Sequence, residues 1–287
     1  MNNLKLNYNL SKNSWFGSGG NADKFFIPDN EDELFDYIKK NTGEKCYPIG
    51  SGSNILFRDK GCKETIIKLG KNFRNIKIKD NNIVCGSAVL KSQLSKFALD
   101  NSITNFEFLS CIPGTVGGGV AMNAGCFNYE FKDILKEVQG IRKNNSDVVS
   151  YKKEEINFSY RKTDLPDDLI ITNILFKADF GSKEEIREKI EFLKKKKELS
   201  QPSKIKTGGS TFKNPDKKNK AWELIKKSGC AKKTFGKVRF SKTHCNFIEN
   251  DGNTSSDIEQ LINFTIDQVK KKFNIILETE IKIIGEK

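Results

Sequence analysis

The chain has 287 residues and a formal net charge of +13. Its mean hydropathy is −0.56, and no apolar run approaches the roughly 18 residues of a membrane span. The start, MNNLKLNYNLSKNSWF, lacks the apolar stretch of a signal peptide, so the expected class is a soluble, cytoplasmic protein with no membrane partner. In chain order, EDELFDYIKKN (31–41) reads as a helix with Leu34, Phe35 and Ile38 on one face and acids in its first turn. ETIIKL (64–69) and NNIVCGS (81–87) read as short strands, and KSQLSKFALDNS (91–102) as a second amphipathic helix. After a glycine-rich stretch come strand-like pieces at 134–141, 147–151 and 169–178, the last strongly β-branched. A helix over about 183–199 contains the run Lys194 to Lys197. Its apolar spacing at Ile186, Ile190 and Leu193, with acids interspersed, makes the charge a solvated helix face.

SQPSKIKTGGS (200–210) has no periodicity, and a domain boundary is expected there. NKAWELIKKSG (219–229) reads as a helix ended by Gly229. TSSDIEQLINFTIDQVKKKF (254–273) is a clearer one, with Ser256 and Glu259 as a capping box. NIILETEIKIIG (274–285) reads as a final strand, and the whole as α+β in several lobes. Only six of the basic residues are Arg. With neither aromatic RNA-binding motifs nor zinc-finger spacing, the charge does not point to nucleic acid. The seven cysteines are odd in number and include no C-x-x-C. Reduced thiols are expected rather than disulfides, and no metal site.

The stretch IPGTVGGGVAMNAG (112–125) fails two familiar tests. It has no Lys–Ser/Thr pair after a glycine, as a Walker loop needs. Met122 stands where a dinucleotide fingerprint needs its third glycine. A structural turn would account for it. A second loop, IGSGSNILFRD (49–59), is also small and hydroxyl-bearing. Gly50, Ser51, Gly52, Ser53 and Asn54 can present successive donors to a diphosphate without a Lys. The two together point to a dinucleotide threaded between two lobes.

The pair G-S-G-S-N-I-L and I-P-G-T-V-G-G-x-V-x-M-N-A-G resembles the two-lobed FAD-binding domain of the vanillyl-alcohol-oxidase (PCMH) type. Together with FGSGGNADKFFIP (16–28), NFSYRKTDLP (157–166), GGSTFKNP (208–215), SKTHCNFIEN (241–250) and LETEIKIIG (277–285), in this order, it is similar to the UDP-N-acetylenolpyruvoylglucosamine reductase family over nearly the whole chain. The resemblance implies FAD-binding lobes at 1–70 and 71–199 and an α+β substrate-binding domain at 200–274. A terminal strand at about 275–287 would rejoin the first lobe.

It also implies an activity: NADPH-dependent, FAD-mediated reduction of UDP-N-acetylglucosamine enolpyruvate to UDP-N-acetylmuramate for peptidoglycan precursors. Hydride goes to C3 of the enolpyruvyl ether and a proton to C2. Arg161 matches the family's active-site arginine, a planar fork suited to a carboxylate gaining charge. Ser210 matches the proton donor. Glu280 matches the catalytic glutamate, a role that needs a pKa raised by burial. Alternation along the strand would put Glu278 and Glu280 on one face, so the family pattern chooses between them. Cofactor contacts are implied at Gly50, Ser51, Gly52, Ser53, Asn54, Ile55, Pro113, Gly114, Thr115, Gly117, Gly118, Asn123, Ala124 and Gly125. Tyr160, Lys213, Asn214 and His244 fall on the substrate side.

Relatives of the wider fold attach FAD through a histidine of the FAD domain. His244 is the only histidine, so FAD is expected to be non-covalent. The chain resembles the shorter type without an extra tyrosine loop, and a monomer is implied. It departs from the family pattern at Cys111, Lys162-Thr163 and Thr211, none of them a catalytic position. Two other classes compete: another flavin oxidoreductase on this scaffold, and a basic nucleotide- or RNA-binding module. The Arg161, Ser210 and Glu280 trio argues against the second, and GGSTFKNP with LETEIKIIG against the first.

Overall fold

Leu169–Lys177, a strongly β-branched run, becomes the middle of a five-stranded antiparallel sheet. In the computed structural model, which describes residues 3–287, the order is Val148–Lys152, Leu135–Arg142, Leu169–Lys177, Asn82–Gly86 and Ile76–Lys79. Both faces of the middle strand are covered, so its sequence is a near-continuous apolar run rather than an alternation. Thr172 is skipped in the pairing with Leu135–Arg142, where Gly140 faces Ile171 and Gln139 faces Asn173. Such a bulge inverts which side successive residues face. Leu169 and Ile171 point into one core while Ile170 points into another. Beyond the bulge, Ile174 and Phe176 join Leu169's core.

The chain divides into two compact units, one of residues up to 5, 25–50 and 64–197, the other of 6–24, 51–63 and 198–287. The first unit holds this sheet and part of a second, ordered Leu4–Asn9, Asn21–Phe26, Thr65–Lys68, Cys46–Ile49. Helix α1 (Glu31–Lys40) makes the crossover between parallel strands. Its Leu34, Tyr37 and Ile38 pack with Phe26, Ile67 and Ile170. Asn30 caps it by accepting the Glu33 N–H at 2.8 Å, and Glu31, Asp32 and Glu33 complement the helix dipole. Helix α2 (Lys91–Asp100) and a short α3 (Val116–Ala121) close the main core of Phe106, Phe108, Phe131 and Phe176. Helix α4 (Lys183–Ser200) buries Ile186, Ile190 and Leu193 and leaves its Lys run in solvent, as its spacing predicts.

The second unit holds α5 (Ala221–Lys227), α6 (Ser256–Phe273) and a small antiparallel sheet of Thr234–Phe235, Val238–Phe240 and Ile248–Asn250. Its core gathers Phe16, Leu56, Phe212, Ile225, Val238, Leu261 and Ile281. Among the described residues, no helix is long and apolar enough to cross a membrane, and all seven cysteines are free thiols. The mixture is α+β, as expected.

Two local expectations fail in the second unit. The capping box of Ser256 and Glu259 does not form. Glu259 is taken by Arg58, whose Nε donates to both its oxygens at 3.1 and 3.0 Å. Charge-assisted bonds to a guanidinium outweigh one bond to a backbone N–H. The orphan N–H groups of Ser255 and Ser256 bond the Asp59 carboxylate instead, at 2.8 Å each. The second failure is the terminal strand, which shrinks from 274–285 to Lys282–Ile284, parallel to Ile55–Phe57. Asn274 caps α6 in the left-handed region at φ 54°. The next residues spend their backbone groups singly on 211–213: Glu280 N–H donates to Thr211 O at 2.8 Å and Lys213 N–H to Glu278 O at 2.9 Å. Glu278 is exposed and Glu280 is half-buried.

Candidate active site

In the first unit, the glycine stretch is a turn followed by a helix. Gly114 O accepts the Lys91 N–H at 3.0 Å. Thr115 caps α3 by accepting the Gly118 N–H at 3.4 Å. Gly117 N–H is spent on Ser87 O at 2.9 Å, and a Cβ there would lie 2.6 Å from the Ser87 Cβ. That glycine therefore makes room for the neighbouring strand end. Pro113 and Gly118 are exposed, and Ala124 and Gly125 are buried. The two predicted loops meet here: a Cβ on Gly50 would fall 2.3 Å from Thr115 Oγ1, so only glycine lets the loops touch. Asn123 is fully buried with its side chain fully used. Its Nδ2 donates to Glu130 Oε2 at 3.1 Å and Ser159 O at 3.2 Å, and its Oδ1 accepts the Lys132 N–H at 3.1 Å. What Asn123 presents elsewhere is backbone.

Arg161 sits in the two-residue turn of the hairpin Phe158–Ser159/Lys162–Thr163, at φ +56°. A non-glycine residue there is strained, and such strain concentrates at functional sites. Its Nη2 donates to Gly125 O at 2.6 Å, its Nη1 lies 3.9 Å from Glu130 Oε1, and its guanidinium stacks 4.9 Å from the half-exposed Tyr160 ring. A fixed, permanently charged fork beside the glycine stretch is suited to an anion.

In the second unit, Ser51 to Ile55 continue the other loop. Gly52 has φ +75°, and a Cβ would lie 1.8 Å from Asn13 O, so no other residue fits. Ser51 Oγ is buried without a hydrogen-bond partner, an orphan that a phosphate oxygen would satisfy. The Asn54 side chain donates to Glu280 O at 3.0 Å, and Asn54 O accepts the Lys282 N–H at 2.9 Å. The loop and the glutamate segment are therefore one hydrogen-bonded piece. Ser210 bridges Phe247, and the Glu280 N–H bond to Thr211 O sets Glu280 beside the serine's own strand. Ser53, whose carbonyl lies 3.9 Å from the Cβ position of Gly209 (φ +80°), borders the same place.

Asn246 is the residue that sequence reasoning passed over, although it lies within SKTHCNFIEN. Its carbonyl accepts the Thr211 N–H at 2.7 Å, its Oδ1 the Phe212 N–H at 3.0 Å, and its Nδ2 donates to Phe212 O at 2.8 Å. It holds the Ser210 strand as a third ladder partner would. His244 Nδ1 accepts the Asn246 N–H at 3.2 Å, and its ring packs edge-on to Phe247 and Trp222. Burial pushes its pKa below the usual imidazole value, which favours the neutral ring that this acceptor role needs. Lys213 pairs with Glu278 at 3.2 Å. Asn214 Oδ1 caps α5 through the Ala221 N–H at 3.0 Å. Both of these predicted substrate contacts thus have structural partners as well.

Comparisons with known proteins identify the family. A family model described as the C-terminal domain of UDP-N-acetylenolpyruvoylglucosamine reductase matches residues 201–284. One described as an FAD binding domain matches residues 22–149. The UDP-N-acetylenolpyruvoylglucosamine reductase of Pelagibacter ubique is 47% identical, over 98% of this chain and 94% of its own length. That of Rickettsia rickettsii is 43% identical, over 98% and 95%. The crystal structure of UDP-N-acetylenolpyruvylglucosamine reductase from Thermus caldophilus superposes with a TM-score of 0.84 at 29% identity, covering 98% of both chains. FAD is the cofactor, and the orphaned Ser51 hydroxyl and the small, lysine-free loops fit its diphosphate. With family models over most of its length and full-length relatives well above chance identity, the chain belongs to the UDP-N-acetylenolpyruvoylglucosamine reductase family of FAD-dependent oxidoreductases.

Proposed function

We propose that the protein reduces UDP-N-acetylglucosamine enolpyruvate to UDP-N-acetylmuramate with NADPH, using Arg161, Ser210 and Glu280. The observation that carries this is the bond from Glu280 N–H to Thr211 O. It seats the carboxyl segment against the serine strand, with Asn54 tying the same segment to the cofactor loop. When bound, FAD supplies the hydride chemistry between NADPH and the enolpyruvyl C3. The chain's own task is the charge and the proton. Arg161 binds the substrate carboxylate and carries the charge that grows on it as C2 becomes carbanionic. Ser210 Oγ–H gives its proton to C2. A serine hydroxyl is a weak acid, and a carbanion is basic enough to take its proton. Glu280, held by its backbone at both N–H and C=O, stabilises the enolic carboxylate by a hydrogen bond.

Tyr160, Lys213, Asn214 and His244 line the substrate side. Lys213 would exchange Glu278 for a substrate phosphate. FAD is held non-covalently, since the only histidine lies within the C-terminal family match. On this reading the chain has FAD lobes at 1–70 and 71–199 and a substrate domain at 200–274; the parallel pairing of Lys282–Ile284 with Ile55–Phe57 supports only the return of the terminal strand to residues of the first lobe. The protein acts as a cytoplasmic monomer and needs neither nucleic acid nor a membrane. Ser210→Ala tests the reading. Flavin bleaching by NADPH should proceed at the wild-type rate, and reoxidation by the enolpyruvyl substrate should slow by roughly 10²- to 10⁴-fold. Equal slowing of both half-reactions in stopped-flow absorbance would refute the proton-donor role.

A further inference from the structure

We infer that Glu130 is a positioning residue for Arg161, acting through the hairpin Gly125–Cys126/Tyr129–Glu130. This rests on the reading that Arg161 binds the substrate carboxylate. The hairpin starts at the last glycine of the cofactor stretch and turns through Phe127 and Asn128, both at positive φ. Its register pairs Glu130 with Gly125. Two groups at the Arg161 fork, the Gly125 carbonyl on Nη2 and the Glu130 carboxylate toward Nη1, therefore belong to cross-strand partners. One rigid element presents both acceptors.

Glu130 is itself fixed from behind. Its Oε2 accepts Asn123 Nδ2 at 3.1 Å and Lys132 Nζ at 2.9 Å, and its N–H donates to Asp133 Oδ2 at 2.8 Å. Asn123 reaches on to Ser159 O, two residues before Arg161, so the arginine's hairpin and the carboxylate share one buried amide. The two side chains are only 16% and 20% exposed, so solvent screens their attraction little. At 3.9 Å the carboxylate biases the direction of the fork without locking it in a two-bond pair. The swing of a guanidinium so held is restricted.

The consequence is a split between binding and turnover. Without the Glu130 charge, the fork has one competitor fewer for the substrate carboxylate, so ground-state binding is unchanged or tighter. Its aim at the developing charge is lost, so turnover falls. Glu130→Gln keeps the shape and an acceptor for Asn123. It should lower kcat roughly 10- to 100-fold, as small misplacements of a catalytic group do, with KM for the enolpyruvyl substrate equal or lower. Flavin content, melting temperature and the rate of flavin reduction by NADPH should stay at wild-type values. Glu130→Asp, which keeps the charge but withdraws it by one methylene, should fall between the two and covers the case of poor folding.

The deciding measurement is the double variant with Arg161→Ala. If Glu130 acts through Arg161, adding Glu130→Gln to Arg161→Ala costs no further kcat. An undiminished loss on that background, or an unchanged kcat in the single Glu130→Gln variant, overturns the proposal. Failure of the underlying reading looks different: Arg161→Ala alone would then retain wild-type kcat, and the role of Glu130 would fall with it.

Discussion

Arg58 and Arg161 each face a backbone carbonyl and a glutamate, with opposite outcomes. Arg58 is saturated. Its Nε donates to both Glu259 oxygens, its Nη2 to Glu259 Oε1 at 2.9 Å and its Nη1 to Gly285 O at 2.8 Å. Its pKa is raised above the usual guanidinium value, with the bonds to Glu259 as the largest cause. The partners of Arg161 include the Gly125 carbonyl at 2.6 Å, the Tyr160 ring at 4.9 Å and the Glu130 carboxylate at 3.9 Å. The first geometry is a brace between α6, the strand Ile55–Phe57 and the C-terminal segment. The second, on the proposed function, is an aimed charge. In a chain that uses Lys by habit, Arg marks a need for the planar fork. The same need arises in a brace and at a catalytic site. Arg239, bonded to Asp251 at 2.6 Å and Glu249 at 2.7 Å, is another brace.

Substituting each arginine by alanine should separate the two roles most widely. Arg161→Ala should reduce kcat about 10²- to 10³-fold, the usual cost of removing one preorganised charge stabiliser, with a nearly unchanged melting curve. Arg58→Ala should do the reverse. It leaves Glu259 and a carbonyl without their charged partner, which costs about 2–3 kcal/mol in urea unfolding, and turnover per folded molecule should hold. Steady-state rates and unfolding midpoints on the same samples decide it. A stability loss without a rate loss in Arg161→Ala would erase the contrast.

Lysine at the same two positions gives a smaller and sharper test, since it keeps the charge and removes the fork. Arg58→Lys can still reach one Glu259 oxygen and should cost about 1 kcal/mol. Arg161→Lys loses the simultaneous grip on Gly125 O and the approach to Glu130, and should lower kcat roughly 10-fold. If Arg161→Lys were fully active, a point charge would suffice and the hairpin's two-acceptor geometry would have no purpose.

The sequence made Arg161 legible only through the motif around it, because local physics does not distinguish it from Arg58. The helices were legible from period and caps: Glu31–Lys40, Lys91–Asp100 and Ser256–Phe273 lie within two residues of their expected ends. What local sequence missed depended on partners distant in the chain. Asp59 rather than Ser256 caps α6, since Arg58 removes Glu259 from the competition. The segment after Asn274 has strand composition, but it meets 211–213 at single bonds rather than a ladder. Asn246 looked like one polar residue in a loop, and only the fold shows it holding the Ser210 strand. The space that Gly117 leaves for Ser87 was equally out of reach of local sequence.

His244 provides the smallest test, of whether a charge-capable group in this site is braced or available. Its ring is braced like Arg58, between Trp222, Phe247 and the Asn246 N–H. Burial lowers its folded pKa below the ordinary imidazole value of about 6.5, so the unfolded chain takes up the proton first as pH falls. The stability it contributes is therefore present above pH 6.5 and is lost as pH falls through the lower folded value. The urea midpoint should drop between pH 7.5 and pH 5.5 by more in wild type than in His244→Gln, which has no such proton to gain. If His244 only braces the Ser210 strand, kcat at pH 7.5 should move little in that variant. A raised KM with unchanged kcat would place the ring against substrate. An unchanged midpoint difference would mean that the folded imidazole protonates as readily as the unfolded one, in conflict with its acceptor role toward Asn246.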